Sequence, residues 1–169
     1  MNREAFAGVV SLMLAACATP SHRIPPAFGI EPPAAIADDH APSPTQIMIE
    51  TATSMIGQPY RFGGSSPGGF DCSGLVVYAA ANAGIHVPRT AAEQMQSGRP
   101  VARSELLPGD LLFMHVSGKE LHVAIALDRQ LFVHAPSSGG RVRVDSLLAP
   151  PYAKGFIAAR RVVSFTAPH

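Results

Sequence analysis

Tryptophan is absent from this 169-residue chain, cysteine occurs only twice, and charged side chains make up 15% of it. Each shortage removes a class of explanation. Two cysteines, Cys17 and Cys72, cannot build the disulfide framework that small exported domains use in place of a core. Thirteen Lys and Arg stand against twelve Asp and Glu and are scattered along the chain. That leaves no basic excess to neutralise phosphates, which sets nucleic acid aside. No apolar run approaches the ~20 residues a helix needs to cross a hydrocarbon core; the longest N-terminal stretch, Ala5 to Ala16, falls well short. No internal repeat is evident. Single cores close at about 100–200 residues, so one domain is the ceiling. What the chain does have is a 47% hydrophobic composition, enough to fill a core and too much for disorder throughout.

The N-terminus does not read as part of a fold. Arg3, the apolar stretch and Cys17 together resemble an export signal. Leu14-Ala15-Ala16-Cys17 is similar to a lipobox, where bacterial lipoproteins are diacylated on the Cys and cut just before it. The alternative is a buried Cys in a hydrophobic helix. On the lipobox reading, residues 1–16 are a signal peptide, Cys17 carries the lipid, and Ala18, not being Asp, implies the periplasmic face of an outer membrane. Residues 17–43 contain Pro20, Pro25, Pro26, Pro32, Pro33 and Pro42 without a hydrophobic period, which predicts an extended tether. Acylation of Cys17 leaves Cys72 as an unpaired thiol. An exported protein has little structural reason to keep one, so a reactive Cys72 and a small buried apolar Cys72 both stay open.

Residues 44–165 carry the pattern of a folded domain. Ser43, Pro44 and Gln46 read as N-cap, N1 proline and capping-box partner, and the helix they open ends at Gly57. A Gly/Ser/Pro-rich loop delivers the chain to Asp71-Cys72-Ser73, where a buried helix begins and runs to Gly84. Thr90 and Glu93 make a second capping box for a short helix closed by Gly98. Beyond Pro108 the pattern changes to five β-rich runs, at 111–116, 121–127, 131–134, 142–144 and 155–163. Helices followed by strands predict an α+β domain, its helices packed on a mostly antiparallel sheet of about five strands.

A thiol in the first turn of a helix meets unpaired N–H groups and the positive end of the dipole, which favours thiolate by at most about 2 kcal/mol. Shifting a Cys from a pKa near 8.5 to near 4 needs roughly 6 kcal/mol, so a cationic partner is expected. Three of the seven histidines, His115, His122 and His134, lie in the strand region. Pairing 122 with 134 centres a three-residue hairpin loop on Asp128 and makes the two imidazoles cross-strand neighbours. In that geometry His122 is the base for Cys72 and His134 orients it. His115 is a rival base, and solvated histidines on a polar hairpin face are the plain alternative.

Six segments then carry a resemblance to a known family. They are Pro59-Tyr60-Arg61-Phe62-Gly63-Gly64, Phe70-Asp71-Cys72-Ser73-Gly74-Leu75-Val76, Pro88-Arg89-Thr90-Ala91 with Gln94, Pro108-Gly109-Asp110-Leu111-Leu112-Phe113, His122-Val123-Ala124-Ile125 and Phe132-Val133-His134-Ala135. In this order and spacing they resemble the NlpC-type cell-wall cysteine peptidases, which are papain-like. The resemblance implies Cys72 as nucleophile, His122 as base and His134 as the third polar residue. It implies that Tyr60, Asp71 and Ser73 line the substrate cleft, and that the substrate is a peptidoglycan stem peptide, cut at the γ-D-glutamyl-diamino acid bond or at the crosslink. Arg89 is either a substrate contact or a structural salt bridge. No metal set with ligand spacing and no cofactor motif is seen. An amidase or acyltransferase on the same fold, or a non-catalytic wall-binding lipoprotein, are the other functions this pattern admits.

Overall fold

A computed structural model of the chain describes residues 41–116, 118, 120–137 and 140–163. The expected signal peptide, Cys17 and the tether up to residue 40 lie outside the described residues. Helix α1 (Pro44–Ser54) starts with Ser43 Oγ accepting from the Gln46 N–H at 3.2 Å. The reciprocal half of the expected capping box is not made, because Gln46 turns its amide along the helix to Glu50, 2.9 Å away. A short ribbon, β1 (Ser65–Ser66) and β2 (Gly69–Phe70), leads into α2 (Cys72–Asn82). Helix α3 (Ala91–Gln94) has both halves of the Thr90–Glu93 capping box. It is a single turn and stops short of the Gly98 expected to close it.

The remaining elements are β3 (Arg99–Val101), β4 (Leu111–His115), β5 (Leu121–Ala126), β6 (Leu131–His134), β7 (Arg143–Ser146), α4 (Pro150–Gly155) and β8 (Phe156–Arg161). The sheet order is β3-β8-β4-β5-β6-β7 with every neighbour antiparallel. The α+β expectation therefore holds, but the main sheet has six strands and not about five. The extra one, β3, is an edge strand, where the exposed Arg99 and Pro100 are tolerated. Neither residue carries a strand signal.

Alternate residues of the central strands enter two apolar layers, which is why these strands read as continuous hydrophobic runs. On one face Leu111, Phe113, Val123, Ile125 and Val133 pack with Met48 and Ala52 of α1 and Leu75, Val76, Ala79 and Ala80 of α2. On the other, Leu112, Met114, Ala124, Ala126 and Phe132 pack with Leu106, Leu147 and Tyr152. Phe113 and Phe132 are fully buried, and truncating either to Ala would cost about 3–5 kcal/mol.

The β5–β6 hairpin pairs Ile125 with Val133 and Ala126 with Phe132. This register is two residues away from the expected pairing of 122 with 134 and moves the loop centre from Asp128 to Arg129. The cause is local: Asp128 Oδ1 accepts from the N–H groups of Gln130 and Leu131 at 2.6 and 2.7 Å, building the turn on the Asp side chain. Because the side-chain period is two, a two-residue shift keeps both histidines on one face.

Candidate active site

Asp71 caps α2, with Oδ1 accepting from the Gly74 N–H at 2.6 Å and Oδ2 from the Gly63 N–H at 2.9 Å. Gly63 takes a φ of 74°, which side chains rarely adopt. A Cβ on Gly74 would run into the Gly64 carbonyl oxygen. These two glycines let the loop close over the helix start. Cys72 and Ser73, the first residues of α2, have N–H groups with no acceptor inside the helix.

Arg89 grips this corner from the far wall. Its guanidinium donates to Asp71 Oδ1 at 3.0 Å, Asp71 Oδ2 at 2.6 Å and Ser73 Oγ at 2.9 Å, while Ser73 Oγ donates to Asp71 Oδ1 at 3.2 Å. Burial pushes the Asp71 carboxyl up, but the bonds from Arg89, Gly74 and Ser73 and the Arg89 charge outweigh it and hold it below the usual range. Both Asp71 oxygens are thus committed within the protein, and Arg89 makes the salt bridge that was one of its two readings. Gln94, fully buried, ties the Arg89 loop to the helix by donating to the carbonyls of Ser73 at 3.1 Å and Pro88 at 2.8 Å. Tyr60 is held by its N–H on the Gly140 carbonyl at 2.6 Å. Burial, helped by nearby Cys72, Asp71 and Glu120, pushes its phenol up, so it stays a neutral hydroxyl at pH 7. Tyr60, Asp71, Cys72, Ser73, Arg89 and Glu120 line one open cleft of about 420 Å³.

The histidines arrive from the sheet. The described β5–β6 pairing ends at Ile125 and Val133, which leaves His122 beyond it on β5. His122 Nε2 lies 2.8 Å from His134 Nδ1, and the rings meet edge to face with centroids 5.0 Å apart. His134 Nε2 lies 2.9 Å from Asp145 Oδ2. His115 is exposed, with Nδ1 3.3 Å from the Glu120 carbonyl, and takes no part in this chain.

Charge in this region departs from the expected thiolate-imidazolium pair. Burial pushes the Cys72 thiol up, against the N–H groups of Val123 and Ser73, which favour thiolate. Burial, His134 and Arg143 push His122 down to about 3, and burial pushes His134 down to about 4 despite the opposing pull of Asp145. Taking both groups out of water favours their neutral forms over separated charges. Among the described residues no hydrogen bond joins Cys72 to His122. His122 Nδ1 has no hydrogen-bond partner among the described residues, whereas Nε2 is taken up by His134.

The sequence reading missed Asp145, Arg143 and Tyr152, which stand behind His134. The available signal was the alternation in β7, which puts Arg143 and Asp145 on one face and Val144 on the other. Among the described residues no group of three or more His, Cys, Asp or Glu could hold a metal ion.

Known proteins are similar to this chain in sequence and fold. The murein DD-endopeptidase MepH of Escherichia coli is 38% identical over 126 residues, 71% of this chain and 46% of that protein. The probable endopeptidase YafL of the same organism is 36% identical, covering 76% of this chain and 54% of its own. The chain spans about half the length of these curated relatives. Among solved structures, an NlpC/P60 family protein from Bacillus cereus superposes with a TM-score of 0.67 at 30% identity, over 71% of this chain and 40% of that one. The peptidoglycan hydrolase RipB of Mycobacterium tuberculosis gives 0.63 at 32%, over 72% and 66%. The α+β domain is papain-like, as in these neighbours. With residues 57–161 matching it from the loop after α1 to the last strand, the chain belongs to the NlpC/P60 family.

Proposed function

We propose that this chain is a cysteine peptidase that hydrolyses peptide bonds in peptidoglycan stems, either the γ-D-glutamyl-diamino acid bond or the crosslink. Cys72 is the nucleophile, His122 the base and His134 the group that orients it. The observation that carries this reading is the position of Cys72: it is the first residue of α2 and lines an open cleft beside Tyr60, Ser73 and Arg89. Relatives named as murein endopeptidases support the substrate class.

In this mechanism His122 Nδ1 takes the Cys72 proton as the sulfur attacks the stem-peptide carbonyl. N–H groups at the start of α2 hold the oxyanion, and the Tyr60 hydroxyl is a further donor. The departing amine takes the proton from His122, leaving an acyl-enzyme that water, activated by the same ring, releases. Asp71, Ser73 and Arg89 form the wall for the acyl side of the substrate. The same proposal places the chain on the periplasmic face of an outer membrane, held by a lipid on Cys17. Intact mass of membrane-extracted protein, with and without Cys17→Ala, tests the anchor.

Digestion of defined muropeptides by the mature protein, read by mass spectrometry, tests the activity. Shortened stems still joined to sugar are expected from the first bond, and uncrosslinked monomers released from dimers from the second. Whole stems released from sugar would make it an amidase, and muropeptides left intact from pH 5 to 8 would contradict hydrolysis.

A further inference from the structure

Asp145 lies outside the cleft, yet three donors converge on its Oδ2: His134 Nε2 at 2.9 Å, Arg143 Nε at 2.9 Å and the Tyr152 hydroxyl at 2.5 Å. Burial pushes the carboxyl up, but the bonds from Tyr152, Arg143 and His134 outweigh it and hold it below the usual range. It is therefore a carboxylate at neutral pH, able only to accept. His134 is enclosed edge to face by Phe132, Tyr152 and His122, with centroids 4.9, 5.6 and 5.0 Å away. Buried and neutral at pH 7, it carries one ring proton.

Proton placement then follows along the chain of contacts. Asp145 can only accept, so the His134 proton sits on Nε2 and His134 Nδ1 presents a lone pair. His122 Nε2, 2.8 Å from that lone pair, has to donate. The single proton of neutral His122 is then on Nε2, and its Nδ1 is bare. We propose that Asp145, held in place by Tyr152 and Arg143, is a positioning residue that fixes the tautomers of both His134 and His122 and so makes Nδ1 of His122 the basic atom of the site. The proposal rests on the reading of His122 as the base.

In Asp145→Asn the new amide can donate to His134 Nε2. That admits the opposite tautomer of His134 and, through it, a His122 whose Nδ1 is already protonated. A wrong tautomer next to the base costs about 10⁴-fold in a serine protease. One hydrogen bond further away, a loss on the order of 10- to 100-fold in kcat is expected, with KM unchanged because Asp145 does not line the cleft. Asp145→Glu, which keeps an acceptor, regains part of that loss.

The deciding readout is ¹⁵N NMR of the imidazoles in the wild-type protein at pH 7, with the same spectrum taken on Asp145→Asn. Expected are Nε2–H tautomers for His122 and His134 in the wild type and a mixed population in the variant. A wild-type His134 protonated on Nδ1, or a variant with unchanged tautomers and unchanged kcat, would overturn the proposal. Should Asp145→Asn fail to fold, the wild-type spectrum alone decides. Should the wild type cleave no muropeptide, the peptidase reading fails, while the spectra still judge the role of Asp145.

Discussion

The two halves of the site are held in different ways. The corner around Cys72, the proposed nucleophile, is built from close neighbours in sequence, Asp71, Ser73 and Gly74, with Arg89 clamped over them, and the Arg89 side chain remains 40% exposed. The proposed base is held by a chain that crosses three elements, from His122 on β5 to His134 on β6 and Asp145 on β7, and the His134 side chain is fully buried. Position at the nucleophile therefore depends on helix capping and a partly solvated ion pair, whose electrostatic contribution is screened. Proton state at the base depends on desolvation, where a misplaced partner has no water to replace it.

This contrast can be broken most sharply with acid. His122 and His134 have native pKa values pushed down to about 3 and about 4, below the ordinary His value near 6.5. Between about pH 6.5 and 4 the unfolded chain binds protons at these rings and the native protein does not. Stability is therefore fully present above pH 6.5 and falls as pH drops, by up to about 1.4 kcal/mol per pH unit for each ring. Asp71 and Asp145, held low, add loss in the same direction only below the ordinary carboxylate range. Urea midpoints measured at pH 7 and pH 5 should differ clearly; equal midpoints would mean the base side is not a buried neutral chain.

A smaller effect is expected at the nucleophile. Asp71→Ala removes the cap of α2 and strands Arg89, and should cost about 2–3 kcal/mol in urea denaturation at pH 7. A loss below about 0.5 kcal/mol would show that the corner is held by something other than its cap. The smallest effect belongs to Gln46→Ala, which should stay within about 0.5 kcal/mol because the reciprocal cap bond is not made. A larger loss would show that the capping box forms in solution.

The same division explains what could be read from the sequence. Caps and stops are local, so Ser43, Thr90 and Gly84 marked helix ends, while α1 stopped at Ser54, short of Gly57, and the change of period after Pro108 located the sheet apart from β3. Strand register depends on side-chain detail in the turn, and Asp128, bonding two N–H groups, moved the hairpin by two residues. The period-two rule still kept His122 and His134 together. Alternation along β7 could put Asp145 and Arg143 on one face, but the role of Asp145 was not legible because it exists only after β7 pairs beside β6 and α4 brings Tyr152 across it. The neutral resting state of Cys72 and His122 was illegible for a related reason. Dipole and ion-pair arguments can be made from sequence, whereas the burial that outweighs them is a property of the packed sheet.

The central claim is that the Cys72 sulfur attacks with help from His122, and digestion of one defined muropeptide by wild type, Cys72→Ala and His122→Ala, all shown to be folded by near-UV circular dichroism, tests it most directly. The account predicts cleavage by the wild type, no product from Cys72→Ala, and a rate lowered about 10²- to 10⁴-fold in His122→Ala. Undiminished cleavage by either variant would contradict it.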